Sequence, residues 1–94
     1  MSVYEKDNLN GNNVKSHALS ILVDNQAGAL ARVVSMFSAR GYNIDSLTVA
    51  KVGSDDNISR ITIITSGTRS KIEQIKSQLG RIVIVHKVVD LTQK

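Results

Sequence analysis

Asp24-Asn25-Gln26-Ala27-Gly28-Ala29-Leu30 is a polar, glycine-containing turn set between two strongly patterned segments. Before it, Leu19, Ile21 and Val23 alternate with the period of a half-buried strand. After it, Leu30, Val33, Val34 and Phe37 recur at helical spacing. The stretch therefore turns a strand into a helix within a few residues, with Gly28 near the helix start. Such a terminus presents backbone N–H groups that no helical carbonyl reaches, and the helix dipole adds partial positive charge. It attracts anions, a carboxylate as readily as a phosphate.

On either side of this turn the hydropathy pattern delimits the remaining elements. A first strand is predicted over 17–23 and a helix over 28–40, with Gly41 at the C′ position that ends many helices. Alternation resumes over 43–51, Leu47 and Val49 on one face and Ser46 and Thr48 on the other. The segment 52–57 (Val-Gly-Ser-Asp-Asp-Asn) is a hairpin-type loop. A third strand is predicted over 58–65, with Ile61 and Ile63 inward and Ser66-Gly67 breaking it. In the second helix Ser70-Lys71-Ile72-Glu73 matches a capping box, Ile72, Ile75 and Leu79 form the apolar stripe, and Gly80 closes it. A last strand over 81–89 is dense in β-branched residues.

The order β-α-β-β-α-β predicts an α+β, ferredoxin-like fold, a four-stranded antiparallel sheet with two helices on one face. Residues 1–16 are asparagine-rich and aperiodic and read as a flexible N-terminal tail. Residues 17–91 form the single domain, and 92–94 its C-terminal end.

Composition narrows the function. A 94-residue chain makes one small domain, which buries only ~60–65% of its unfolded surface, so self-association is expected. Without cysteine there is no disulfide framework, zinc cluster or thiol nucleophile. No apolar run reaches the ~18–20 residues of a membrane span, and the N-terminus lacks the apolar core of a secretory signal. A soluble, cytoplasmic protein is expected. The formal net charge of +4 raises nucleic-acid binding. The twelve basic residues are dispersed, however: Arg32 and Arg40 lie on the first helix, and Lys71, Lys76 and Arg81 surround the second. Tyr4, Phe37 and Tyr42 are too few aromatics for a base-stacking platform. On the sheet face away from the helices, Ala18, Leu22, Ile58, Ile64, Ile82, Ile84 and Val88 are expected to form a surface covered by another protein.

Catalytic patterns are missing. His17 and His86 have no cysteine or neighbouring carboxylate at metal-ligand spacing. Asp55 and Asp56 read as loop solubilisers. No nucleophile elbow, dinucleotide fingerprint or P-loop spacing occurs. The turn remains, joined by a second polar turn, Arg40-Gly41-Tyr42-Asn43-Ile44, that carries another asparagine to the start of the second strand.

Together these segments resemble a known family. The runs 24–33 (Asp-Asn-Gln-Ala-Gly-Ala-Leu-Ala-Arg-Val) and 37–50 (Phe-Ser-Ala-Arg-Gly-Tyr-Asn-Ile-Asp-Ser-Leu-Thr-Val-Ala) are similar to the opening of the ACT domain in small regulatory subunits of acetohydroxyacid synthase, also called acetolactate synthase. Residues 59–63, 72–75 and 78–88 match as well, so the likeness covers about 17–91. Arg40-Gly41-Tyr42-Asn43-Ile44 followed by Ser46-Leu47-Thr48-Val49 is its most specific part. Many members continue into a second, C-terminal domain, and this sequence, ending Asp90-Leu91-Thr92-Gln93-Lys94, is closer to that two-domain type.

The resemblance implies a non-catalytic subunit that binds and activates the catalytic (large) subunit and confers feedback inhibition by a branched-chain amino acid, usually valine. It implies no cofactor in this chain; thiamine diphosphate, Mg and FAD would belong to the catalytic partner. ACT domains of this kind pair side by side as homodimers, with effector sites at the pairing interface. By position, Asn25, Gly28, Ala29 and Leu30 would form the effector loop, and Asn43 and Ile44 would complete the site from the neighbouring subunit. Two other readings compete: an ACT module sensing a different amino acid for another enzyme or a transcription factor, and a ferredoxin-like RNA-binding module. The second needs aromatics on the central strands, where Ser46 and Thr62 offer none.

Overall fold

A computed structural model describes residues 13–54 and 57–92. The expectation for residues 1–12 of the tail, and the loop reading of Asp55 and Asp56, lie outside them. In chain order the elements are β1 (Lys15–Asp24), α1 (Ala29–Ala39), β2 (Ser46–Lys51), β3 (Ile58–Gly67), α2 (Arg69–Gly80) and β4 (Val85–Asp90). The sheet is antiparallel, ordered β2-β3-β1-β4. This is the expected ferredoxin-like arrangement.

β1 holds the sheet together because Leu19, Ile21 and Val23 point one way and are fully buried beneath the helices. Their register partners on β3, Ile63, Ile61 and Ser59, are buried with them. From above, α1 contributes Val33 and Phe37, and α2 contributes Ile72, Ile75 and Leu79. Both helix ends are set by local chemistry. Arg40 caps α1, and Gly41 follows in the left-handed region at φ 72°. The Gly41 N–H donates to the Ser38 carbonyl and the Tyr42 N–H to Phe37, a Schellman closure. Tyr42 then lies edge-on against Phe37, ring centroids 6.0 Å apart.

Four expectations are corrected. β3 does not break at Ser66-Gly67, because β1 begins at Lys15 and supplies partners as far as Lys15↔Gly67. The second strand begins at Ser46, so Asn43 and Ile44 lie in the loop before it. α2 is capped not by a Ser70–Glu73 box but by Thr68, whose hydroxyl accepts the Lys71 N–H at 3.2 Å; Glu73 pairs with Lys76 instead.

The largest correction concerns the last strand. Residues 81–84 are a turn, closed by Ile82 N–H to Leu79 carbonyl and Val85 N–H to Ile82 carbonyl. A bulge then moves the β1 partner from Lys87 to Val85 across Leu22 and Val23, leaving His86 over. Because strand faces alternate with period two, these irregularities invert the expected faces. Ile84 is buried in the core, Ile82 and Val88 pack against it, and Val83, which alternation with the outer-face expectation for Ile82 and Ile84 puts inside, is 90% exposed. The outer face keeps Ala18, Leu22, Ile58 and Ile64, but Val89 replaces the misplaced residues beside Ser20, Arg60, Thr62 and Lys87. That face is more polar than expected. At the opposite edge neither helix packs closely on β2, so Val49 is 48% exposed although it shares the core-side register with Ile61.

Candidate functional site

The turn between β1 and α1 is pinned at both flanks. The Asp24 N–H donates to the Ile84 carbonyl at 3.0 Å, and the Asn25 N–H to the Asn57 carbonyl at 2.7 Å. Gly28 is the N-cap of α1 at φ 86°, with no side chain capping the helix. That angle is what demands glycine, since a Cβ built there meets nothing within 4 Å. Space in front of the turn is open. The Ala29 N–H is taken by the Gln26 carbonyl, whereas the Leu30 and Ala31 N–H groups of the first turn find no acceptor among the described residues.

The six predicted site residues divide into two groups. Asn25, Gly28, Ala29 and Leu30 lie at one end of α1. Asn25, Gly28 and Leu30 are exposed, while the Ala29 side chain is buried in the core, so only its backbone faces the turn. Asn43 and Ile44 lie beyond the other end of the same helix. An eleven-residue helix separates its ends by ~16 Å, so one chain does not bring the two groups together. The second group is firmly held. Thr65, fully buried, donates its hydroxyl to the Asn43 carbonyl at 2.6 Å, and Ser66 bonds the Asp45 carboxylate at 2.7 Å. Ile44 packs its side chain on the core, and Asn43 stays exposed.

Sequence reasoning missed Arg32. A hollow of about 220 Å³ beside Gly28 is lined by Gln26, Ala27, Ala29, Arg32 and Ile84. Arg32 stands one helical turn beyond the glycine and lines the same hollow. The Gly28-x-x-x-Arg32 spacing was the available signal. The arrangement can hold a carboxylate between amides and a cation.

The comparisons with known proteins agree with the fold. The model of the "AHAS small subunit-like ACT domain" family matches residues 19–87. The chain belongs to that family. An acetolactate synthase small subunit of Buchnera aphidicola subsp. Baizongia pistaciae is 51% identical over 78 residues, which cover 83% of this chain and 48% of that protein. The acetolactate synthase isozyme 3 small subunit of Escherichia coli is 51% identical over 75 residues, 80% of this chain and 45% of that protein. The crystal structure of the Thermotoga maritima acetolactate synthase small subunit superposes with a TM-score of 0.74 at 37% identity, covering 81% of this chain and 47% of that one. The chain thus spans about half the length of these relatives.

Elsewhere in this ACT domain the fold assembles partners that spacing concealed. Each histidine acquires a carboxylate: His86 bonds Asp24, and His17 bonds Asp90 at 2.9 Å. Among the described residues no group of three or more metal-ligating side chains forms, and no helix is long and apolar enough to cross a membrane. Burial pushes the Asp90 carboxyl up, but the Thr92 hydroxyl and N–H, with the His17 ring, outweigh it and hold it below the usual carboxylate range. A carboxyl depressed in the folded state contributes stability above its unfolded value, about pH 4, and loses it as pH falls through the lower folded value. Thermal melts between pH 6 and pH 2 should therefore fall more steeply for the wild type than for Asp90→Asn. Parallel curves would contradict this.

Proposed function

We propose that this ACT domain serves a regulatory subunit of acetolactate synthase: it binds and activates the catalytic subunit and makes it sensitive to valine. Family membership supports the assignment, and the Gly28 turn, with its unclaimed amides and Arg32 beside open space, carries the effector part. The amino acid's carboxylate would sit against the Leu30 and Ala31 amides and Arg32. Asn25 and Asn43 can each accept from its ammonium and donate to its carboxylate. Leu30 and Ile44 would enclose the isopropyl group, with weak discrimination against side chains differing by one methylene.

Because the two residue groups stand at opposite ends of α1, a complete site requires two chains. An antiparallel, side-by-side homodimer meets that need by placing one chain's turn near the other's Asn43. The unpaired edge of β2, where Val49 is half exposed, suits such pairing. Effector binding and dimer geometry are then linked reciprocally, and valine shifts the dimer between arrangements that hold the catalytic subunit differently.

Calorimetric titration of the purified protein with valine, leucine, isoleucine and serine tests the reading. Saturable valine binding, weakened by Asn25→Ala by about tenfold or more, as for loss of hydrogen bonds to a charged ligand, is expected. A different amino acid binding in valine's place would transfer the domain to another pathway's sensor.

A further inference from the structure

A shallow groove of about 510 Å³ runs between α1 and the end of α2. Its floor is Met36 and Ile82, and Val83, the most exposed large apolar side chain among the described residues, stands on its rim. Its walls carry Arg32, Arg40 and Arg81. Arg32, Met36 and Arg40 follow one another at four-residue intervals, so they form a single stripe along α1. The 81–84 turn before β4 is what presents Val83 outward.

The charges decide what fits. Among the described residues none of the three guanidinium groups makes a hydrogen bond or ion pair, and no acidic residue lines the groove. The described carboxylates are engaged elsewhere: Asp24 with His86, Asp45 with Ser66, Glu73 with Lys76, and Asp90 with His17 and Thr92. The groove therefore combines an apolar seat with three cations that the fold leaves uncompensated. It also lies between the helices, away from the β2 edge, so sheet pairing leaves it open.

We propose that this groove docks an acidic segment of the catalytic subunit, with an apolar side chain seated on Met36, Ile82 and Val83 and carboxylates meeting Arg40 and Arg81. The proposal rests on the regulatory reading above and adds the contact surface. It also supplies a route for regulation, because Arg32 lines both this groove and the hollow beside Gly28. An effector carboxylate that draws on Arg32 alters the charge offered to the docked segment, so the two ligands are coupled through one side chain.

The test measures affinity for the acetolactate synthase large subunit of the same organism, for wild type and for Arg81→Glu, Val83→Asp and Lys87→Glu. Val83 is almost wholly exposed and Arg81 lies outside the effector turn, so both variants should melt near wild type and still bind valine. Each should weaken docking by roughly tenfold, as for loss of an apolar contact or a charge pair, and the wild-type affinity should fall with added salt. Lys87→Glu, the same charge change on the outer sheet face, should leave docking unchanged. Undiminished affinity in Arg81→Glu and Val83→Asp overturns the groove while leaving the regulatory reading intact. So does a loss confined to Lys87→Glu, which would place docking on the outer sheet. A change only in the chain's own oligomeric state would assign the groove to a second copy and overturn it too. No wild-type binding at all overturns both.

Discussion

Gly28→Asp should abolish measurable valine binding while leaving the domain folded. Three terms set the size of the effect. Gly28 has φ 86°, a conformation that costs most residues ~1–2 kcal/mol but that Asp tolerates better than nearly any other side chain. The added side chain meets no protein atom near its Cβ, so no steric term is added within the chain. What remains is a carboxylate placed in the space assigned to the effector's own carboxylate. Two like charges ~4 Å apart repel by about 4 kcal/mol at the effective dielectric near a protein surface. That alone lowers affinity by several hundredfold, since each 1.4 kcal/mol is about a factor of ten. Gly28→Ala separates the terms, for it carries the backbone cost without the charge. It should melt lower by several degrees, about 4–8 °C per kcal/mol in a domain of this size, and bind valine with far smaller loss. Calorimetry and thermal melts on both variants check this. Full valine binding in Gly28→Asp would remove the effector from this turn.

Phe37→Ala should be the most destabilising single substitution. Phe37 is fully buried, heads the largest side chains of the core, and supports Tyr42 edge-on. Truncating a buried Phe typically costs ~3–5 kcal/mol through lost transfer energy and the cavity left behind. A small domain has only ~5–15 kcal/mol of total stability, so a large part of it goes. The Tm should fall by at least about 12 °C. Since Tyr42 adjoins Asn43, valine binding should weaken even where the variant remains folded. A Tm within a few degrees of wild type would mean that the helix layer does not rest on Phe37.

What was legible in the sequence follows from how local each determinant is. Gly28 and Gly41 announce themselves, because left-handed backbone at a helix start and at a Schellman closure is nearly reserved for glycine. The stripes Leu19-Ile21-Val23 and Ile72-Ile75-Leu79 carry their period openly, and all six residues are buried. The final strand was misread because its run of β-branched residues continues through a turn and a bulge, and period-two reasoning cannot count across either. Ser70–Glu73 imitates a capping box, yet Thr68 lies two residues earlier and is already extended, so it caps first. The His17–Asp90 pair joins residues 73 apart, beyond any spacing rule. Arg32 reads in the sequence as one more solvated cation, because the Gly28-x-x-x-Arg32 spacing alone does not tell which side of the helix the open turn faces. The position of Asn43 and Ile44 far from Gly28 within one chain is a property of topology, and it is what makes a shared site the economical reading.

Subunit complementation tests that shared site most directly. Asn25→Ala and Asn43→Ala should each bind valine about tenfold or more weakly than the wild type, because each removes one half of every site in a symmetric dimer. After the two variants are mixed in equal amounts and allowed to exchange, half of the dimers are heterodimers with one intact site, so about a quarter of the wild-type sites should return. Calorimetric stoichiometry before and after exchange reads this out. Recovery of valine binding on mixing is the predicted result. Undiminished binding by Asn43→Ala, or no recovery in a mixture whose subunits have demonstrably exchanged, would contradict a site built from two chains.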